Sequence, residues 1–238
     1  MDISIKNAAL LCLGVSGTVS VRRDIYGYIW GPMARTLSVK THLKRIRTNA
    51  INLCIFLVGH EPDFSGMFTP ANAQTMQFAV DVTRELYAQV GVSVRKLFWR
   101  RIPLDEADGF NVVDASGATN LTEAFSGPND GIDVFFVTTI TDAGGWSSPN
   151  PGGGPCDKDE KGRTGAVLEL QSTDFFTGVL MAHEVGHYLG LVHGSDMTNI
   201  MGADTNNDGI GEINSGSTGI TASQGNTMKS HCSIRLPC

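Results

Sequence analysis

Apolar positions along this chain change period several times, and each change marks an element. Residues 51–58 (Ile-Asn-Leu-Cys-Ile-Phe-Leu-Val) form a continuous β-rich run, the pattern of a buried strand. Behind Thr69-Pro70, the apolar residues Ala73, Met76, Val80, Tyr87 and Val90 recur mostly three or four positions apart. Thr is a good N-cap and Pro a good first helical residue, so this spacing predicts an amphipathic helix ending near Gly91. Residues 92–99 and 132–137 read as further strands, 119–125 as a short helix and 166–170 as one more short strand. Between 142 and 165 the chain turns to Gly and Pro, which predicts a long surface loop. No internal repeat is present. The strand, helix, strand order with a late helix indicates an α/β or α+β domain.

Composition narrows the class. The 238 residues are 41% hydrophobic and 18% charged, with 28 Gly, and mean hydropathy is near zero. These values fit one globular domain with an appendage and argue against a coiled coil, a long acidic tail or a multi-span membrane protein. A net charge of −6 argues against a general nucleic-acid binder, which needs a basic face to displace counterions. The charge is unevenly placed. Residues 1–48 hold eight basic and two acidic side chains (+6), and the remaining chain holds 10 basic and 22 acidic (−12). We therefore divide the chain into a basic segment, 1–48, and a body, 49–238. The short apolar run at 8–15, after Lys6, fits the hydrophobic part of a secretory leader or a buried strand, and is too short to span a bilayer. Residues 21–47, with Gly31-Pro32 in the middle, read as irregular. The segment as a whole reads as a removable leader or pro-segment, or as a basic arm lying on the acidic body.

Of the five cysteines, Cys12 lies in the apolar run and would leave with a leader. Cys54, Cys156, Cys232 and Cys238 remain, and four cysteines allow three pairings. Cys156 and the two near the C-terminus read as disulfide cysteines, whereas Cys54, inside an apolar strand, reads as a buried thiol. Disulfides together with a leader place the mature protein outside the cytosol.

Chemistry concentrates at His183-Glu184-Val185-Gly186-His187-Tyr188-Leu189-Gly190-Leu191-Val192-His193. In a helix, residues four apart share a face, so His183 and His187 can point at one ion. Gly190 is suited to end the helix, which lets the chain turn and return His193 as a third ligand. Three imidazoles leave the fourth tetrahedral position of Zn²⁺ to water, the mark of a catalytic site. Glu184 can reach that water as general base and later acid without being a ligand. Thr173 or Asp174 can cap this helix.

The run resembles the long H-E-x-x-H-x-x-G-x-x-H motif of the metzincin clan of zinc metallopeptidases, and Asn199-Ile200-Met201-Gly202 resembles the clan's methionine turn. It is most similar to pappalysin-type and matrixin-type members. Gly194 matches neither the Ser of matrixins nor the Asp of adamalysins, and no tyrosine stands two positions after Met201. The resemblance implies an α+β domain: a mixed twisted sheet with two long helices, and a small C-terminal subdomain after the third histidine. It implies Met201 as a floor beneath the metal, and residues 202–221 as the wall of the specificity pocket. It further implies an extended protein or peptide substrate pairing with the edge strand at 166–170. Residues 220–224 resemble the start of the clan's C-terminal helix.

Asp204-Thr205-Asn206-Asn207-Asp208-Gly209 reads as the first half of a calcium loop. Ser215 occupies the twelfth position, where a bidentate Glu is expected, and Glu212 at the ninth is the substitute. Asp204, Asn206, Asp208 and Glu212 are thus candidate Ca²⁺ ligands; the alternative is a polar Asn-Asp-Gly turn. The functional expectation is a secreted, monomeric zinc endopeptidase with neither nucleic-acid nor stable membrane partners. The competing classes are a non-catalytic zinc-bearing adhesion or binding module and a zinc amidase acting on non-peptide bonds.

Overall fold

The structure is a computed structural model that describes residues 18–21, 39–42, 48–63, 65–141, 143–147, 153–206 and 211–236. Strands β1 (Thr18–Val21) and β2 (Val39–His42) pair antiparallel, with Thr18 opposite His42. The irregular reading of 21–47 therefore needs correction at β2, where the chain is extended and paired. The apolar run at 8–15 and Cys12 lie outside the described residues.

The body is built on β3 (Asn49–Val58), whose nine residues after Asn49 are all buried. It runs parallel to β4 (Val92–Ile102) on one side and β6 (Ile132–Val137) on the other. Between β4 and β6, β5 (Val112–Val113) precedes helix α2 (Ala115–Phe125) and pairs in parallel with β7 (Thr139–Ile140). Two further strands, β8 (Gly145–Ser147) and β9 (Ala166–Glu169), complete a five-stranded sheet of order β4-β3-β6-β9-β8. β9 is parallel to β6, and β8 is antiparallel to β9. This is the mixed α+β architecture expected.

Alternation along β3 explains why its sequence is apolar throughout. Ile51, Leu53, Ile55 and Leu57 face a core shared with Tyr87, Met181 and Val185, whereas Cys54, Phe56 and Val58 face one shared with Ala118, Leu121 and Phe135. Both faces are covered, so no polar face is needed. Helices α1 (Pro70–Ala88) and α3 (Asp174–Tyr188) supply the first layer and α2 the second. α1 starts as expected: Thr69 Oγ1 accepts from Asn72 N (3.2 Å) and Asn72 Oδ1 accepts from Thr69 N (2.8 Å), a reciprocal cap. Its last turn is bonded to α3, because the buried Tyr87 hydroxyl donates to the Ala182 carbonyl at 2.7 Å. Burial pushes the Tyr87 phenol well above its ordinary range, with the Glu184 carboxylate adding to the effect, so it stays a neutral donor.

Thr173, one of the two caps considered, begins α3: its hydroxyl accepts from Phe176 N at 3.1 Å. After Tyr188 the chain leaves the helix through Gly190 at φ 90°, a left-handed conformation glycine adopts at little cost. Beyond His193, short bridges such as Gly194 with Ala203 and Asn199 with Gly219 lead to helix α4 (Ala222–Ser230). No described helix is long and apolar enough to cross a membrane.

Two further expectations change. The strand at 166–170, expected at the sheet edge, is β9, and it lies between β6 and β8; the edge strand on that side is β8. β8 was hidden because Gly145-Trp146-Ser147 is too short and glycine-rich to show a period of two. The Gly/Pro stretch, expected as a surface loop, is anchored over 153–158. Gly153, Gly154 and Lys158 are buried. Gly154 N donates to Tyr188 O (2.8 Å), and the Tyr188 hydroxyl donates to Pro155 O (2.8 Å). Lys158 Nζ lies 2.9 Å from Asp133 Oδ2 in a buried ion pair.

Cys156 is bonded to Cys232, and Cys54 is a buried free thiol whose burial pushes it up to about 12, which leaves it neutral and unreactive. Cys238 lies outside the described residues. The disulfide links cysteines 76 positions apart, and closing a loop of that size stabilises by about 4 kcal/mol. Cys156→Ser should therefore lower the unfolding free energy in urea by roughly that amount. An unchanged unfolding midpoint would contradict this.

Candidate metal centre

His183, His187 and His193 come together as the sequence spacing requires, each offering one ring nitrogen within 4.8 Å of the others. His187 Nε2 lies 3.1 Å from His183 Nε2 and 2.9 Å from His193 Nε2. The other nitrogens of the two helical rings settle their tautomers. His183 Nδ1 is 2.7 Å from the Ile200 carbonyl and His187 Nδ1 is 2.9 Å from the Leu191 carbonyl. A carbonyl only accepts, so each Nδ1 carries the proton and each Nε2 presents a lone pair.

The Nε2 lone pairs of His183 and His187 therefore face each other without a proton between them. That arrangement is repulsive unless a cation sits at the focus. Zinc bound to imidazole at about 2.0–2.1 Å in a tetrahedron separates ligand nitrogens by about 3.3 Å, close to the distances found. The donor set fits a divalent ion of the zinc type, and its hydrogen-bonded outer nitrogens are what such a site uses to orient its rings. Burial, then the neighbouring imidazoles, lowers His183 to about 3; burial foremost, and His193 next, lowers His187 to about 4 against the opposing Leu191 hydrogen bond. Both rings are neutral donors at neutral pH. His183 and His187 are buried, whereas His193 is partly exposed, so the cluster opens towards solvent on the side of His193.

Met201 is fully buried. A Cβ placed on Gly186, next to His187, would lie 3.0 Å from Met201 Sδ. The Met201 sulfur thus packs against α3 at Gly186, one residue before His187.

Glu184 is buried, and burial alone raises its carboxyl to about 8. A Cβ built on Gly145 would fall 2.5 Å from Glu184 Oε1. The edge strand β8 therefore passes directly against the carboxylate, at a contact only glycine permits.

Solved structures that resemble this chain include two metal-dependent peptidases by their descriptions. Archaemetzincin from Methanopyrus kandleri is 16% identical, with 65% of this chain and 82% of that one covered at a TM-score of 0.42. Metalloproteinase-II from Bacteroides fragilis is 11% identical, with 78% of this chain and 54% of that one covered at a TM-score of 0.48. This chain thus spans about half of the second. The sequence matches no protein-family model and no curated protein.

The 204–212 segment is only partly brought together. Asn206 Nδ2 donates to Glu212 Oε1 at 2.8 Å and Thr205 Oγ1 donates to Glu212 Oε2. Asp204 lies beside Gly194 through a backbone bond of 3.4 Å, and Asp208 lies outside the described residues. Gly211 rests on the metal centre: a Cβ there would come within 2.3 Å of His193 Cδ2. Residues the sequence did not single out for the site are Gly145, Gly211, and Ile200 and Leu191, whose carbonyls accept from the two helical rings. Leu191 and Ile200 stand inside the two motifs without chemistry of their own to mark them, and Gly145 shows only as one of a Gly-Gly pair directly before Trp146.

Proposed function

We propose that this protein is a zinc-dependent peptidase of the metzincin type. The observation that carries the reading is the convergence of three imidazole nitrogens, two of them held as lone-pair donors, beside a buried carboxylate that is not one of them. His183, His187 and His193 hold the ion. When bound, zinc supplies Lewis-acid polarisation of the scissile carbonyl and makes water acidic enough to attack it near neutral pH. Glu184 accepts the proton of the attacking water at a carboxylate oxygen and returns it to the leaving amine nitrogen.

The substrate extends along β8, because this strand ends the sheet and touches Glu184 through Gly145. An extended peptide adding to that edge gains main-chain hydrogen bonds and lays its amide beside the carboxylate. Both disulfide cysteines are exposed, and a bridge in that position supports an oxidising, extracellular working place.

The test is hydrolysis of a mixed peptide library by the purified protein. Activity should vanish with a zinc chelator and return on adding Zn²⁺. Cleavage that persists in the metal-free protein would overturn the assignment.

A further inference from the structure

The turn that orients His183 is itself held from outside. Asn199 and Gln224 face each other as a reciprocal carboxamide pair: Asn199 Nδ2 donates to Gln224 Oε1 at 2.8 Å, and Gln224 Nε2 donates to Asn199 Oδ1 at 2.9 Å. Asn199 is 8% exposed. Its Oδ1 also accepts from Met201 N at 2.9 Å, so one side-chain oxygen fixes the turn from residue 199 to 201. Between those two residues stands Ile200, whose carbonyl receives the His183 Nδ1 proton and whose N–H donates to Gly219 O at 2.9 Å.

Gln224 is anchored in turn. It occupies the third position of α4, where its Oε1 accepts from Thr221 N at 2.9 Å and its own N–H donates to Thr221 Oγ1 at 3.2 Å. For capping alone, Gln224 needs only Thr221. Its carboxamide instead uses the remaining donor, Nε2, on Asn199. The bond is satisfied in both directions, which fixes which end of each amide is oxygen.

We infer that the Asn199–Gln224 pair is a positioning device for the metal centre, tying the first turn of α4 to the carbonyl that sets the ring angle of His183. This rests on the zinc reading above. Neither residue touches the ion or a substrate; they act through Ile200. Partners that orient metal-bound histidines govern affinity by about 10- to 100-fold, and the pair controls one such partner.

The test compares Gln224→Ala and Gln224→Met with Thr221→Ala in the full chain. Met keeps the length and packing of Gln without its hydrogen bonds, and so serves if the Ala variant does not fold. Thr221→Ala weakens the α4 cap but leaves the carboxamide pair in place. Zinc affinity is read by competition with a chromophoric chelator, and ligand geometry by the visible spectrum of the Co²⁺-loaded protein. Both Gln224 variants should bind zinc about 10- to 100-fold more weakly and shift the Co²⁺ bands, with Thr221→Ala close to wild type in both. Wild-type affinity and spectrum in the Gln224 variants, or an equal loss in Thr221→Ala, would overturn the positioning role. A wild-type protein that binds no zinc, or a His183→Ala variant that binds it undiminished, would instead sink the zinc reading and this inference with it.

Discussion

Exchanging Glu184 for Gln should leave a protein that still takes up one zinc but turns over peptide about 10²- to 10⁴-fold more slowly, the range general acid–base catalysis contributes. Gln has nearly the same shape and removes the group that accepts a proton. The hydrogen bonds that hold the His183 and His187 rings go to the Ile200 and Leu191 carbonyls, so the exchange leaves them in place. The separation of the two effects is the informative part. A structural carboxylate would show itself as lost folding or lost zinc, whereas a general base shows itself only in turnover. Metal content and kcat measured on the same preparation check this, and a variant of full activity contradicts it.

Gly145→Val should be nearly as damaging, although residue 145 carries no side chain that could do chemistry. A Cβ there would lie 2.5 Å from Glu184 Oε1, 2.8 Å from its Cγ and 2.9 Å from its Cδ. No ordinary contact is that short, so either the carboxylate or β8 must move by the better part of an ångström. Displacements of about 1 Å at a reacting group cost on the order of 10²-fold in rate. The expected result is a hundredfold lower kcat/KM with zinc affinity kept, because the two helical imidazoles are oriented by the Ile200 and Leu191 carbonyls. Gly145→Ala should fall between this variant and the wild type. Unchanged kinetics in Gly145→Val would show that β8 does not pass the reacting carboxylate in solution.

The parts of the molecule most readable from sequence were those governed by local rules. β3 is apolar because both its faces are covered, and α1 announces its start with Thr69-Pro70. The helix pair His183 and His187 follows from helical geometry, and Gly190 marks the turn that returns His193. The parts that escaped depend on contacts distant in the chain. β8 is three residues long, and its edge position comes from pairing with β9 rather than from any pattern of its own. A sequence pattern alone therefore points to 166–170 as the edge, whereas pairing places β8 there. The Gly/Pro stretch carried the composition of a surface loop, yet it is pinned by Tyr188, by Lys158 against Asp133 and by Cys156 to Cys232. The link between Asn199 and Gln224 spans 25 positions, and neither amide belongs to a motif that would mark it.

The central claim is that three imidazoles and no other side chain hold a zinc ion. Zinc X-ray absorption of the stoichiometrically loaded protein tests it most directly. The account predicts nitrogen scatterers at about 2.0–2.1 Å with the outer-shell signature of three imidazole rings, and a remaining light-atom position for solvent. A sulfur shell at about 2.3 Å, fewer than three imidazoles, or a spectrum unchanged when His183, His187 and His193 are all replaced by Ala would contradict it.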